Sequence, residues 1–395
     1  MKFGFWAMPE HFPWSNWNLA FDLDLEKIQE AERLGYDEYW IGEHHTAGFE
    51  PVPVPEYYLA AASAVTSKIR LGTGVVNLPY HDPFLVAERL AFLDQMTGGR
   101  LIAGFGAGGL PSDVALFETG PTSNPRFDEA LDIIEKLWAN EEPIDYEGQF
   151  WSGKNRLIQV RPYQDRIPIA TGGVSSTSKF ELCGTRGYQP MSMHWARASA
   201  PDSSPVPHLK EHIQAAIKAG EAAGYTEEEV RSQWRVIREV YVAEDRETAI
   251  RDIRKGIEYS YGYVKAIGTG ELIKDSPDQP IDDLTVEWLI DNLPMVVGSP
   301  EDCIRQIRDL QEEIGDFGYL FLHDRNWVTQ DKWVRSAELF ARYVKPAFDR
   351  KENLQFRKDL VDRDMASNPS WPLDWWSDRP WLDDQKATVG STDGR

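Results

Sequence analysis

Apolar and polar positions along this chain fall into two periods that take turns. "KFGFWA" (2–7) is a short continuous apolar run, read as a buried strand. "FDLDLEKIQEAERL" (21–34) then spaces Leu23, Ile28, Ala31 and Leu34 along one helical face and stops at Gly35. The same alternation repeats. "DEYWIG" (37–42) reads as a strand and "PEYYLAAASAVTSK" (55–68) as a helix with proline at its first position. "IRLGTGVV" (69–76) is a third strand, and residues 83–97 a helix opened by Asp82-Pro83. "RLIAGFG" (100–106) and "NPRFDEALDIIEKLWAN" (124–140) form a fourth strand–helix unit.

"IDYEGQFWSGKNRLIQVRPYQ" (144–164) breaks the rhythm, alternating around a Ser-Gly turn, and reads as a β-hairpin insertion. The pattern resumes with a strand at 167–173, a helix from Ser175, a strand at 188–193, a helix over 208–223 and a strand at 234–242. Residues 260–290, rich in Gly, Asp and Pro, read as a mobile excursion. Residues 299–314 predict a capped helix with Ser299 as N-cap, Pro300 first and Asp302 third. A strand at 319–324 and a helix over 332–348 close the series. Eight strands, each followed by a helix or by an insertion and a helix, predict a (β/α)8 TIM barrel with insertions over 1–350. Residues 351–395 read as an acidic, Trp-rich tail wrapping the outside or a partner subunit.

Composition narrows the function classes. Of 395 residues, 42% are apolar and 27% charged, enough for a sizeable core without staples. A net charge of −22 argues against nonspecific contact with nucleic acid or anionic membrane, both polyanions. Cys183 and Cys303 are the only cysteines, which disfavours a disulfide framework or a Cys-rich zinc site. No signal-peptide pattern or membrane-length apolar run is present, so a cytoplasmic location is expected.

Gly104-Phe105-Gly106-Ala107-Gly108-Gly109 matches G-x-G-x-x-G after a strand. It sits on the fourth strand rather than the first, and no long helix is read before Asn124. It is therefore taken as a glycine-rich barrel loop that lets a ligand approach, not as a dinucleotide fingerprint.

The second strand ends in Glu43, His44 and His45, where barrels place their chemistry. Adjacent strand residues point oppositely, so one histidine at most faces the barrel mouth. No H-E-x-x-H and no third ligand at recognisable spacing are present, and no metal is expected. Proton transfer by one histidine is the preferred reading, with a histidine that merely satisfies buried backbone groups as its alternative.

"YWIGEHH", "IRLGTGVVNLPYHDPFLVAERLAFLDQMTGGRLIAGFG", "NPRFDEALDII" and "VVGSPEDCIRQI" resemble the bacterial luciferase-like flavin monooxygenases, in register from the first strand to about residue 345. The resemblance implies a (β/α)8 barrel, reduced FMN supplied by a separate flavin reductase, a flavin hydroperoxide formed with O2, and a homodimer. Residue by residue it implies His44 as the active-site acid or base and a non-prolyl cis peptide at Gly74–Val75 under the flavin ring. Asn77 falls at the pyrimidine edge, and Arg126 with Ser175 and Ser176 at the phosphate. Phe5, Trp6, Phe49, Met193 and Trp195 are expected to wall a dry substrate pocket.

Where luciferases carry a second phosphate-binding arginine this chain has "GAGGLP", and light emission is not expected. "EHHTAGFEPVPVPEYYLAA" is more similar to terpene- and alkane-type oxygenases of that family. Few charged side chains are expected at the strand ends, which predicts a small apolar substrate: a terpene, ketone, aldehyde or alkane. The rival readings are a deazaflavin-dependent oxidoreductase, a non-catalytic flavin-binding protein and, last, a metal-dependent hydrolase.

Overall fold

A computed structural model of the chain describes residues 1–173, 176–193, 195, 208–268, 270–276, 278–349, 359, 360 and 363. Ser175 and nearly all of the acidic tail lie outside the described residues.

Eight strands close a parallel barrel. In order they are β1 (Lys2–Ala7), β2 (Glu38–Ile41), β3 (Arg70–Thr73), β5 (Leu101–Gly106), β8 (Ile169–Gly173), β9 (Gln189–Ser192), β10 (Arg235–Val242) and β12 (Tyr319–Asp324). Each pairs with the next, and β12 returns to β1, so that Gly4 lies between Phe321 and Glu38. The short β4 (Val76–Asn77) continues past β3 and pairs with the end of β5. β11 (Val296–Gly298) adds to the far end of β10. The hairpin is β6 (Ile144–Glu147) with β7 (Ser152–Arg156), antiparallel.

Helices cover the outside: α1 (Trp17–Arg33), α2 (Pro55–Val65), α3 (Pro83–Thr97), α5 (Ser123–Ala139), α6 (Ser178–Arg186), α7 (Leu209–Ala223), α11 (Pro300–Ile314) and α12 (Gln330–Leu339). The short α4 (Pro111–Leu116), α8 (Glu227–Gln233), the long α9 (Arg246–Ala266) and α10 (Val286–Asn292) complete the set. Ser299 caps α11 in a capping box with Asp302, as the sequence predicts. None of the described helices is long and apolar enough to cross a membrane.

Strand alternation divides the core into two layers. Trp6, Trp40, Ile102, Met191, Ile237 and Phe321 fill the barrel interior. Phe3, Phe5 and Tyr39 point outward into the helix-facing core, where Phe5 packs on Tyr36 and Trp333. The expectation that Phe5 walls the pocket is therefore corrected: it is one residue out of phase with Trp6. Gly72 makes room for Trp40, because a Cβ there would sit 2.2 Å from the indole. Near the N-terminal ends of the strands, Arg235 donates to both carboxylate oxygens of Glu38 at 2.8 and 3.0 Å, and Trp40 Nε1 donates to the same group at 2.8 Å. This closed set neutralises two buried charges on the barrel axis.

Carboxylates also fasten the connections. Glu32 accepts from the backbone N–H groups of Ser67, Lys68 and Ile69, fixing the entry to β3. Glu129 accepts from those of Gln149, Phe150 and Trp151, holding the hairpin turn. That turn is residues 148–151, and Ser152-Gly153, expected at the turn, open β7. α6 starts at Ser178 rather than Ser175. The segment read as an excursion over 260–290 begins inside α9 and ends inside α10. Tyr261, Val264, Ile273, Leu284 and Leu289 share a second core with Val297 and Trp327.

Candidate active site

The C-terminal ends of the strands open into a cavity of roughly 470 Å3. Trp6 and Met8 from β1 and its following loop, Val75 beside β4 and Met191 and Met193 at the end of β9 form apolar wall. The Gly74–Val75 peptide is cis, as the resemblance implied, and both residues line the cavity with Asn77. Gly109 and Gly173 also line it, and a Cβ built at either meets nothing within 4 Å. The backbone there lies open to a flat ligand.

His44 faces the cavity from the loop after β2. Its Nδ1 lies 2.9 Å from Asp113 Oδ2, and its Nε2 lies 3.7 Å from Glu50 Oε2. Asp113 is brought there by α4, which follows the glycine-rich loop directly through Leu110. The sequence reading placed no helix before Asn124, and α4 corrects it. Asp113 Oδ1 accepts from the backbone N–H groups of His45 and Thr46 at 3.2 and 2.8 Å, so the carboxylate is fixed before it meets the imidazole. Burial alone would lower the pKa of His44. The hydrogen bond to Asp113 and the charges of Glu50, Asp113 and Glu43 outweigh it and raise the pKa. Asp113 is lowered: burial pushes it up, but His44 and Thr46 hold its charged form more strongly.

His45, in the same loop, does not line the cavity. Its Nε2 lies 2.8 Å from Glu43 Oε1, and His81 Nε2 lies 2.9 Å from the same oxygen. Glu43 Oε2 accepts from the Asn77 backbone N–H at 3.1 Å. His81 supplies the third polar partner that the sequence reading did not find. The three groups hydrogen-bond one another, and their ligand atoms lie within 4.8 Å of one another, close enough to hold a metal ion. Their effect is to lock β2 to β4: the hydrogen bonds from both imidazoles overcome burial and lower the pKa of Glu43.

The lining is also rich in hydrogen-bond donors. Ser123 and Asn124 of α5 and Ser176, Ser178 and Lys179 at the start of α6 supply them. Lys179 Nζ lies 3.2 Å from Asp128 and over the Phe127 ring at 3.6 Å. Arg126 is on the first turns of α5 beside Ser123 but does not line the cavity. Its guanidinium lies over Phe150 at 4.7 Å, and its Nε donates to Thr122 Oγ1 at 3.2 Å. Ser175 lies outside the described residues.

Trp6, Met193 and Trp195 line the cavity as expected for pocket residues, whereas Phe49 does not. Phe49 packs behind Tyr263, with ring centroids 4.5 Å apart, and Tyr263 takes the wall position. The expectation of few charges at the strand ends also fails. Glu43, His44, Glu50, Asp113, His323 and Arg325 all reach the cavity. Each is engaged by a neighbour: His44 by Asp113 and Glu50, Glu43 by His45 and His81, Arg325 by Glu10 and Glu239, and His323 packs on Trp6 at 4.8 Å. Burial and the Arg325 charge push the pKa of His323 well below its usual value, so it is neutral near pH 7.

The sequence reading missed Asp113, Glu50, Lys179, His323 and Arg325. "YLFLHD" ending a barrel strand was the one local signal, for His323.

Comparison with known proteins agrees with this geometry. A family description for luciferase-like monooxygenases matches residues 1–316. The 4-hydroxyprotoasukamycin monooxygenase of Streptomyces nodosus subsp. asukaensis is 36% identical over 352 residues, covering 88% of this chain and 92% of that protein. Limonene 1,2-monooxygenase of Rhodococcus erythropolis is 36% identical over 351 residues, covering 88% and 87%. Among solved structures, the oxygenating constituent of 3,6-diketocamphane monooxygenase of Pseudomonas putida is a type II Baeyer–Villiger monooxygenase in complex with FMN. It superposes with a TM-score of 0.77 at 26% identity over 88% of this chain and 98% of that one. A closed parallel barrel, a strand-end histidine facing its cavity and a family match over most of the length agree: the chain belongs to the luciferase-like monooxygenases.

Proposed function

We propose that this chain is the oxygenase of a two-component system that takes reduced FMN from a separate flavin reductase and oxygenates a small organic molecule with O2. The observation that carries this reading is the polarity of one cavity. Its lining combines a hydroxyl- and lysine-bearing set, an imidazole–carboxylate pair, and open glycine backbone at Gly109 and Gly173.

The residues fit the cofactor. Ser176, Ser178, Ser123 and Lys179 are the donor set a phosphate takes. Ser175 adds to it in this reading, and Arg126, which lies over Phe150 outside the cavity lining, would have to swing in to join it. Gly74, Val75 and Asn77, which line the cavity, would hold the flavin ring. When bound, reduced FMN supplies the electrons that activate O2. The chain's own residues do the rest. His44 holds or releases a proton at Nε2 while Asp113 fixes Nδ1. Trp6, Met8, Met191, Met193 and Trp195 limit water at the reacting centre.

The substrate class follows from the same surfaces. Charged groups reach the cavity but are engaged by neighbouring side chains, which leaves aliphatic and aromatic faces to bind an apolar skeleton. A deazaflavin with a long acidic tail would need a basic groove. Among the described lining residues, Lys179 and Arg325 are the only lysine or arginine, and Arg325 is held by Glu10 and Glu239. A homodimer fits exposed apolar positions on α2 and α3: Tyr57, Val65, Leu85, Phe92 and Met96. Anaerobic binding of reduced FMN against reduced riboflavin tests the reading. Clear preference for FMN supports the phosphate donor set, and equal or absent binding contradicts it.

A further inference from the structure

Glu50 occupies a position that the resemblance did not single out. The loop from His44 to Val52 folds on itself: the His44 backbone N–H donates to the Val52 carbonyl at 3.0 Å, and that of Glu50 donates to the Ala47 carbonyl at 3.0 Å. The Phe49 carbonyl accepts from His11 N at 2.6 Å, which ties the loop to the segment after β1. This closure turns the Glu50 carboxyl back over the imidazole it follows in sequence. The Glu50 side chain is 11% exposed and that of His44 is 21% exposed, and both line the same cavity. Asp113 is 1% exposed and sits behind. The imidazole thus lies between a buried carboxylate at Nδ1 and a cavity-facing carboxyl at Nε2.

We propose that Glu50 is the second proton partner of His44, its carboxyl exchanging a proton with Nε2 while Asp113 holds Nδ1. This rests on reading the cavity as the oxygenase site. The pair shares one proton in either of two arrangements, neutral acid beside neutral imidazole or carboxylate beside imidazolium. When Nε2 gives the shared proton to a bound reactant, the imidazole is left neutral and Glu50 is left as carboxylate. When a proton is taken up, the path reverses. The separation of 3.7 Å is longer than a hydrogen bond, and catalytic contacts of this kind tighten when reactants bind.

The neighbours of Glu50 favour this role. Glu10 and Asp113 face it with like charge, Arg325 and His44 with opposite charge, and Tyr263 stands nearby on α9. Arg325 is shared with Glu10 and Glu239, while Glu10 accepts from Ser260 and Glu239 from Tyr261. His44 is the titrating group at close range. Burial, with the Glu10 and Asp113 charges, raises the pKa of Glu50 against the opposing effect of His44 and Arg325.

The test is an NMR pH titration of the imidazole 13Cε1 signals of the full, cofactor-free chain, with His44 assigned by its loss in His44→Gln. Glu50→Gln is expected to lower the His44 midpoint by about half a unit or more, as removal of an adjacent negative charge does. An unchanged midpoint in Glu50→Gln, with a shift in Asp113→Asn, overturns the proposal. Should Glu50→Gln fail to fold, Glu50→Asp withdraws the charge by one methylene. A lowered midpoint then supports the pairing, and an unchanged one overturns it. In the enzyme supplied with reduced FMN, Glu50→Gln is expected to move the pH profile of product coupling in the same direction without changing flavin affinity. A chain that binds no reduced FMN removes the flavin reading, yet the titration still decides Glu50.

Discussion

Asp113 Oδ2 lies 2.9 Å from His44 Nδ1, joining a helix delivered by a glycine-rich loop to the histidine at the end of the second strand. The contact spans 69 positions of sequence and fixes which imidazole nitrogen faces the cavity. His44→Gln is expected to retain reduced-FMN affinity within about threefold while uncoupling O2 consumption from product, because a proton step lost at one group costs roughly 100-fold or more. Oxygen-electrode traces read against product yield check this.

Asp113→Asn separates fixation from charge. His44 is raised in the folded protein, so its ion-pair stabilisation is fully present below the unfolded value of about 6.5 and is lost as pH rises through the folded value. The variant is therefore expected to lose more stability at pH 6 than at pH 9. A loss of about 2 kcal/mol at the lower pH is the order set by a buried charged hydrogen bond. Denaturant unfolding at the two pH values measures the difference. Glu43 and Asp113 carry the opposite sign. Both are lowered, so their stabilisation is present above the unfolded carboxylate values and lost as pH falls through the folded ones.

Lys179→Met is expected to weaken reduced FMN by about tenfold, the order of a charge-assisted hydrogen bond, while leaving reduced riboflavin unchanged. Burial holds this lysine below its usual range, against the opposing charge of Asp128. A ligand phosphate would take over part of that pairing. Anaerobic fluorescence titration of both flavins reads the split.

The axis of the barrel answers to stability alone. Glu38→Gln leaves Arg235 buried without a full countercharge and is expected to cost about 3–5 kcal/mol, measured by denaturant midpoint. The cavity lies at the other end of the strands, so reduced-FMN affinity of the folded fraction should not change.

The barrel was legible because each strand carries its own period and each helix its own stop, as Gly35 ends the first and Ser299 begins the eleventh. The α9 helix was passed over, although Asp245 as N-cap and the stripe Ala249, Ile253, Ile257 and Tyr261 announce it. The following Gly-, Asp- and Pro-rich stretch drew the reading toward a loop. His44 was readable from its place at a strand end. Asp113, Lys179 and Arg325 were not, because nothing local relates a residue of α4, α6 or the last βα loop to the second strand. Phe5 went wrong because one residue of phase in a strand sends a side chain to the opposite face, and Phe49 because its loop packs it against Tyr263 outside the cavity lining.

Anaerobic loading with reduced FMN, followed by rapid mixing with oxygenated buffer and absorbance recording, tests the central claim most directly. The account predicts stoichiometric binding, then an oxygen adduct that outlives free reduced flavin in the same buffer and decays faster in His44→Gln. Binding followed by oxidation at the rate of free flavin, unaltered by His44, would contradict it.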